Sequence, residues 1–260
     1  ADGKLKHVSH QVGVHPQYRG LHLGYLLKRA QRGEVRRQGL DSARVAFQDA
    51  QRSDPSRTDA EAELSRIAPY RRAIALDGFD GDKHFLESEN DGAASSYEDG
   101  AFVIDITQAG RISSFPLTTS PLEGQNYAAV LDLRRTDGDG MVTFETHTDP
   151  DGGQFVFAVD PGNRSWEVLE YSSDDAQFVP WAGAFPFPES VSGDITRIEL
   201  RVTEGFPLLL VNGVDLAAAA ATPLPEIGAE GELRFGALMS SEGTEPFTAE
   251  FDAIALFELA

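Results

Sequence analysis

The stretch from Ile195 to Leu216, ITRIELRVTEGFPLLLVNGVDL, is compatible with few folds. Ile198, Leu200 and Val202 alternate with Arg197, Glu199 and Arg201, the period of two that gives a strand one buried and one solvated face. After a break at Glu204-Gly205 comes the apolar run Leu208 to Val211, then Asn212-Gly213, then Val214-Asp215-Leu216. Asn and Gly both tolerate the positive φ of a type I′ turn, so Asn-Gly between apolar runs predicts a tight hairpin. The stretch is expected to form strand, strand, turn, strand.

The chain from Asp77 onward repeats this style. Short alternating segments, among them FVIDIT (102–107), RISSFPL (111–117), YAAVLDLRR (127–135), MVTFETH (141–147), QFVFAVD (154–160), SWEVLEY (165–171), ELRFGAL (232–238) and AEFDAIALFE (249–258), are separated by Asp-Gly and Pro-Gly turns. About ten strands with no helical period between them predict a mainly β fold, a two-sheet antiparallel sandwich. Phe155, Phe157 and Val159 share one face, as do Val142 and Phe144, and both rows are expected in the core. Ala217 to Ala221 is expected to be a connection without a helix. This pattern, centred on the paired strands and their Asn-Gly turn, resembles laminin-G and concanavalin A-like jelly-roll domains, over about Gly78 to Ala260. The resemblance implies a jelly roll that binds a glycan or a protein ligand.

Charge divides the chain. Residues 1–78 hold 14 Lys+Arg and 9 Asp+Glu, whereas residues 79–260 hold 8 and 33, so the two parts carry +5 and −25 and together give the total of −20. The break predicts a basic α/β segment over 1–77 and an acidic sandwich over 78–260. The acidic part repels nucleic acid and anionic membrane. Cysteine is absent, which excludes disulfides and thiolate chemistry. No apolar run reaches the ~20 residues that span a bilayer, so a soluble protein is expected, cytoplasmic or exported after loss of a leader. The chain begins Ala1-Asp2, and a preceding leader or segment is an expectation on that ground.

The basic part reads as a strand at His7 to Val14, a loop, a helix with Leu23, Leu27 and Ala30 at helical spacing, a strand at Ala43 to Phe47, and a last helix. Thr58 and Glu61 form a capping box at that helix's start, and Pro69 ends it. The order, with GVHPQYRGLHLGYLLKRAQ at its centre, resembles the second half of a GNAT-type acyltransferase. The resemblance implies an acetyl-CoA pyrophosphate held by Val14 and by Arg19, Gly20, Leu21, His22, Leu23 and Gly24 at a helix start. His22 stands where the family has its middle glycine, the family's first half is missing, and Tyr70 lacks the context of the family's acid. A remnant, or a segment completed by a partner chain or by missing upstream sequence, follows. His7, His10, His15 and His22 cluster in sequence, but strand geometry turns His10 away from His7 and His15, which argues against zinc.

Within the acidic part, TDGDGMVTFE (136–145) lacks the ligand spacing of an EF-hand and is expected to be a hairpin turn. Asp149, Asp151, Asp160 and Asn163 are the residues that would hold Ca2+ at a rim of the sandwich. Glu250-Phe-Asp252 resembles the Glu-x-Asp-x-x-Glu strand of laminarinase-type glucanases, but position 255 is Ala, so the second glutamate is missing. Hydrolysis by this motif is set aside. FVPWAGAFPFP (178–188) is expected to be a loop, with Trp181, Phe185 and Phe187 as ligand-stacking aromatics or as a flap over the core. The leading expectation is a non-catalytic binding module, and its alternative is a GNAT-like N-acyltransferase.

Overall fold

The computed structural model describes residues 68–79, 85, 87–117, 122, 126–147, 154–172, 177–227 and 232–260, together with Val45, Gln48 and Ser65. Nearly all of this is strand. β1 (Tyr70–Asp77), β2 (Ser88–Asn90), β3 (Ala93–Glu98), β4 (Ala101–Ile106) and β5 (Ile112–Pro116) come first. They are followed by β6 (Tyr127–Asp137), β7 (Gly140–His147), β8 (Gln154–Asp160), β9 (Ser165–Ser172) and β10 (Gln177–Pro186). The chain ends with β11 (Arg197–Thr203), β12 (Phe206–Val211), β13 (Val214–Asp215), the helix α1 (Leu216–Ala220), β14 (Leu233–Met239) and β15 (Phe247–Leu259).

Two antiparallel sheets face one another, the jelly-roll sandwich the strand pattern predicts. The larger has nine strands, in the order β13-β12-β11-β6-β15-β4-β3-β2 with β1 added beside β15, and the smaller has six, β10-β9-β8-β7-β14-β5. β15 is the seam of the larger sheet. One edge of it pairs with β6 along almost its whole length; the other pairs first with β4 and then with β1. A bulge around Asp252 lets the strand serve both partners.

The core lies between the sheets and is rich in aromatic rings. Phe102, Phe115 and Phe235 meet at ring distances of 5.0 to 6.1 Å, and Phe144, Phe157, Trp166 and Phe251 are buried beside them. Burying one such side chain stabilises by about 1.5–3 kcal/mol, so this layer outweighs any single surface interaction. The rows expected from alternation, Val142 with Phe144 and Phe155 with Phe157 and Val159, are all in it.

Several expectations change. β1 belongs to the larger sheet, where its partner is the last strand, and charge composition carries no trace of such a long-range pairing. The stretch 178–188 is mostly an edge strand, β10, irregular where its prolines and small residues shift the register against β9. The turn at Gly138-Asp139 is no hairpin, because β6 and β7 lie in different sheets and the turn carries the chain from one to the other. Asp139 anchors that corner, accepting from the backbone N–H groups of Thr244 at 2.9 Å and Glu245 at 3.2 Å. Leu216–Ala220 is a short helix after all, capped by the Asp215 carboxylate on the Ala218 N–H at 3.0 Å. Val45 is helical where a strand is expected. The Asn212-Gly213 hairpin forms as predicted, with φ of 49° and 84°.

Candidate functional site

The outward face of the smaller sheet carries the candidate site. Along β7 the core takes Val142 and Phe144, so Thr143 and Glu145 point the other way. Pairing places Ala158 of β8 opposite Thr143 and Val156 opposite Glu145, and Glu167 of β9 opposite Ala158. On the other side of β7, Arg234 of β14 stands opposite Glu145, and Ser114 of β5 lies one strand further. Three strands thus bring Thr143, Glu145, Asp160 and Glu167 onto one face, spaced by small residues.

Glu145 is the unusual member. It is only 3% exposed although it faces away from the core, and Thr143 beside it is fully buried. Its Oε2 accepts from Gln154 Nε2 at 3.1 Å, while no hydrogen bond within normal geometry reaches its Oε1 or the Thr143 Oγ1 from the described residues. Arg234 approaches but is occupied: its Nε donates to Ser114 Oγ at 3.0 Å, its Nη2 to the Ser114 carbonyl at 2.8 Å, and its Nη1 to Glu232 at 3.3 Å. Burial therefore pushes the Glu145 carboxyl above the usual carboxylate range, and Ser114, Arg234 and Gln154 offset this only in part. Glu167, half-buried, is raised in the same direction, by burial first and by the Asp160 charge second. A buried carboxyl that favours its proton and has one oxygen without a hydrogen-bond partner among the described residues has the form required of a general acid.

Among the residues expected to bind ligands, Trp181 is 47% exposed and meets the edge of Phe155 at 5.5 Å. Phe185 instead stacks on Trp166 at 5.1 Å and packs against the core, and Phe187 lies beneath Arg164, so neither is a free platform. Both oxygens of Asp160 accept from Asn163, from its backbone N–H and its amide, each at 2.8 Å. Asp149 and Asp151 lie outside the described residues, and among the described residues no group of three or more His, Asp or Glu side chains is arranged for a metal. Val14 and Arg19 to Gly24 also lie outside them. Glu250 and Asp252 are on the outward face of the larger sheet, each tied to an arginine of β6, Glu250 to Arg135 at 3.1 Å and Asp252 to Arg134 at 2.7 Å. No described helix is long and apolar enough to cross a membrane.

No family model matches this chain, and no curated protein matches it. Solved structures do. A Bacillus licheniformis beta-glucanase is 10% identical with a TM-score of 0.47, covering 70% of this chain and 97% of its own. LamAcat from Zobellia galactanivorans is 9% identical with a TM-score of 0.43, covering 71% and 97%. Alginate lyase A1-II', a member of polysaccharide lyase family-7, is 15% identical with a TM-score of 0.38, covering 66% and 85%. What these share with the chain is the two-sheet architecture. The expectation of a non-catalytic binding module is corrected here: the solved structures of similar architecture are carbohydrate-active enzymes. The acyltransferase resemblance finds no support in any of these comparisons.

Proposed function

We propose that this chain is a glycan-processing enzyme whose substrate lies across the outward face of the smaller sheet. The observation that carries the reading is Glu145: buried on an outward face, raised above the usual carboxylate range, with Oε1 left without a hydrogen-bond partner among the described residues. In this role Glu145 donates its proton to the oxygen of the bond being cleaved, and Gln154 holds the carboxyl in place through Oε2. As that bond breaks a water adds at the sugar carbon, and Glu167, the other carboxyl on this face, takes the proton the water gives up. Trp181 offers an exposed ring at the edge of the same sheet, suited to stacking on a sugar face.

Charge selects among glycans. The chain carries −20, and Arg234, the cation opposite Glu145, is already bonded to Ser114 and Glu232. A polyanionic chain such as a polyuronate is repelled at long range, whereas a neutral polysaccharide is not. The reading is tested by incubating the full chain with a panel of neutral linear glucans and with alginate, and following shortened products by mass spectrometry. Products from a neutral member and none from alginate are expected; an inert chain across the panel contradicts the proposal.

A further inference from the structure

One patch of the outward face of the larger sheet, around Tyr70, Glu199 and Phe257, is buried, although nothing in the strand alternation calls for it. Arg197, Glu199 and Arg201 occupy the side of β11 that the sequence assigns to solvent, and Ala128 and Val130 of β6 and Phe257 of β15 lie beside them. Yet Glu199 is 2% exposed, Phe257 1%, Val130 2% and Ala128 fully buried. Tyr70 lies over this face, stacked on Phe257 at 4.3 Å with the rings 2° apart. The described hydrogen bonds of this patch run within the sheet: Tyr70 to Glu199, Arg197 to Tyr70 and Asp132, and Arg201 to Glu199. On an open sheet, tall side chains such as tyrosine and glutamate stand into water; here Tyr70 and Glu199 are as dry as the core, and Arg197 and Arg201 are largely covered.

We propose that this face is a docking floor, and that its occupant is the segment of this same chain directly before Tyr70, residues 58–69. The chain enters the sheet at this patch, through a turn at Ala68-Pro69 whose Pro69 carbonyl accepts from the Ala260 N–H at 3.0 Å. A segment leaving that turn reaches the face with no linker to span. Ala60, Leu64 and Ile67 recur at helical spacing after the Thr58 and Glu61 capping box, and Ser65, between them, is helical and exposed. Charge is not what seats it: residues 58–69 hold one Arg against three Asp+Glu, and the apolar positions carry the match. The floor itself is electrically balanced, because Arg197 and Arg201 offset Glu199 and Asp132, and so it suits an apolar helix face. The inference stands apart from the proposed function, since it concerns the opposite sheet.

The test places the photoreactive residue p-benzoylphenylalanine at Leu208, half-buried on β12 beside this face, in the full chain. Irradiation at low micromolar concentration followed by digestion and mass spectrometry identifies what lies over it. Adducts within one chain to peptides from residues 58–69 are expected, and they should be lost in Ile67→Glu and kept in Ser65→Glu, which changes only an exposed position. Adducts between two copies, adducts to another segment, or none at all overturn the proposal. If Ile67→Glu does not fold, the wild-type adduct map and the Ser65→Glu control decide on their own.

Discussion

The Tyr70 hydroxyl donates to Glu199 Oε1 at 2.7 Å, joining two residues 129 positions apart on a face that alternation assigns to water. The same hydroxyl accepts from Arg197 Nη2 at 3.0 Å, so one phenol holds the first strand to the eleventh. This is a buried polar network, where removing one partner leaves the others unsatisfied.

Tyr70→Phe keeps the ring on Phe257 and removes only the oxygen. It should cost about 1–3 kcal/mol, the usual penalty for stranding buried charged partners, read as a lower melting temperature and denaturant midpoint. Burial also raises the Tyr70 pKa to about 12. The folded state then keeps a proton that the unfolded chain loses near pH 10, so stability falls as pH rises through that window, by about 1.4 kcal/mol per unit. In Tyr70→Phe this alkaline loss should be smaller; an unchanged alkaline slope would sink the account of the network.

Glu145→Gln tests whether the acid is held at a cost. Burial raises its pKa, with Ser114, Gln154 and Arg234 opposing and Glu232 adding to the rise. A raised carboxyl binds its proton more tightly when folded, so its contribution to stability is intact below the unfolded value and lost as pH rises through the folded one. Replacing it by the neutral amide removes that loss. Melting temperatures measured from pH 4 to 8 should show Glu145→Gln gaining on the wild type as pH rises. A variant that is less stable at every pH means that Glu145 is a structural anion and no stored acid.

Gly138 marks the corner where the chain changes sheets. Its φ is 86°, and a Cβ there would sit 1.7 Å from the Pro246 carbonyl oxygen. Gly138→Ala therefore strains the backbone and collides with backbone at once, and it should cost several kcal/mol. Asp139→Ala, which removes only the bonds to the 244–245 backbone, should cost much less. Comparable denaturant midpoints for the two variants would contradict the corner's geometry.

Aromatic truncations on β10 should separate by position. Phe185→Ala opens a gap beside Trp166 and should destabilise by about 3 kcal/mol. Trp181→Ala removes a half-exposed ring, so it should leave the melting temperature within a few degrees and raise KM for a glycan substrate. The opposite order would make Trp181 the flap over the core.

How far the sequence leads depends on the range of the interaction. Alternation and Asn-Gly punctuation act locally, which is why Ile198, Leu200 and Val202, the Asn212-Gly213 turn and the Phe155, Phe157 and Val159 row all stand where they are expected. Sheet membership is not local: nothing around Tyr70 announces β15, and nothing at Gly138-Asp139 says that its flanking strands part into different sheets. The proposed acid, Glu145, escaped notice for the same reason. An acid between Phe144 and Thr146 reads as a solvated strand position, and only strand order sets Thr143 and Glu145 beside Ala158 and Glu167. A usable signal was present in the outward positions of three consecutive strands, where carboxylates stand beside small residues. The bulky aromatics of 178–188 drew attention instead because they are rare, and two of the three face the core.

Cleavage on the smaller sheet turns on the Glu145 proton. On a neutral glucan that the wild type cleaves, kcat/KM should fall by about 100-fold or more in Glu145→Gln, the usual weight of a general acid, while the variant melts no lower than the wild type at pH 7. Cleavage at the wild-type rate by a folded Glu145→Gln chain would contradict the assignment of the outward face of the smaller sheet as the active site.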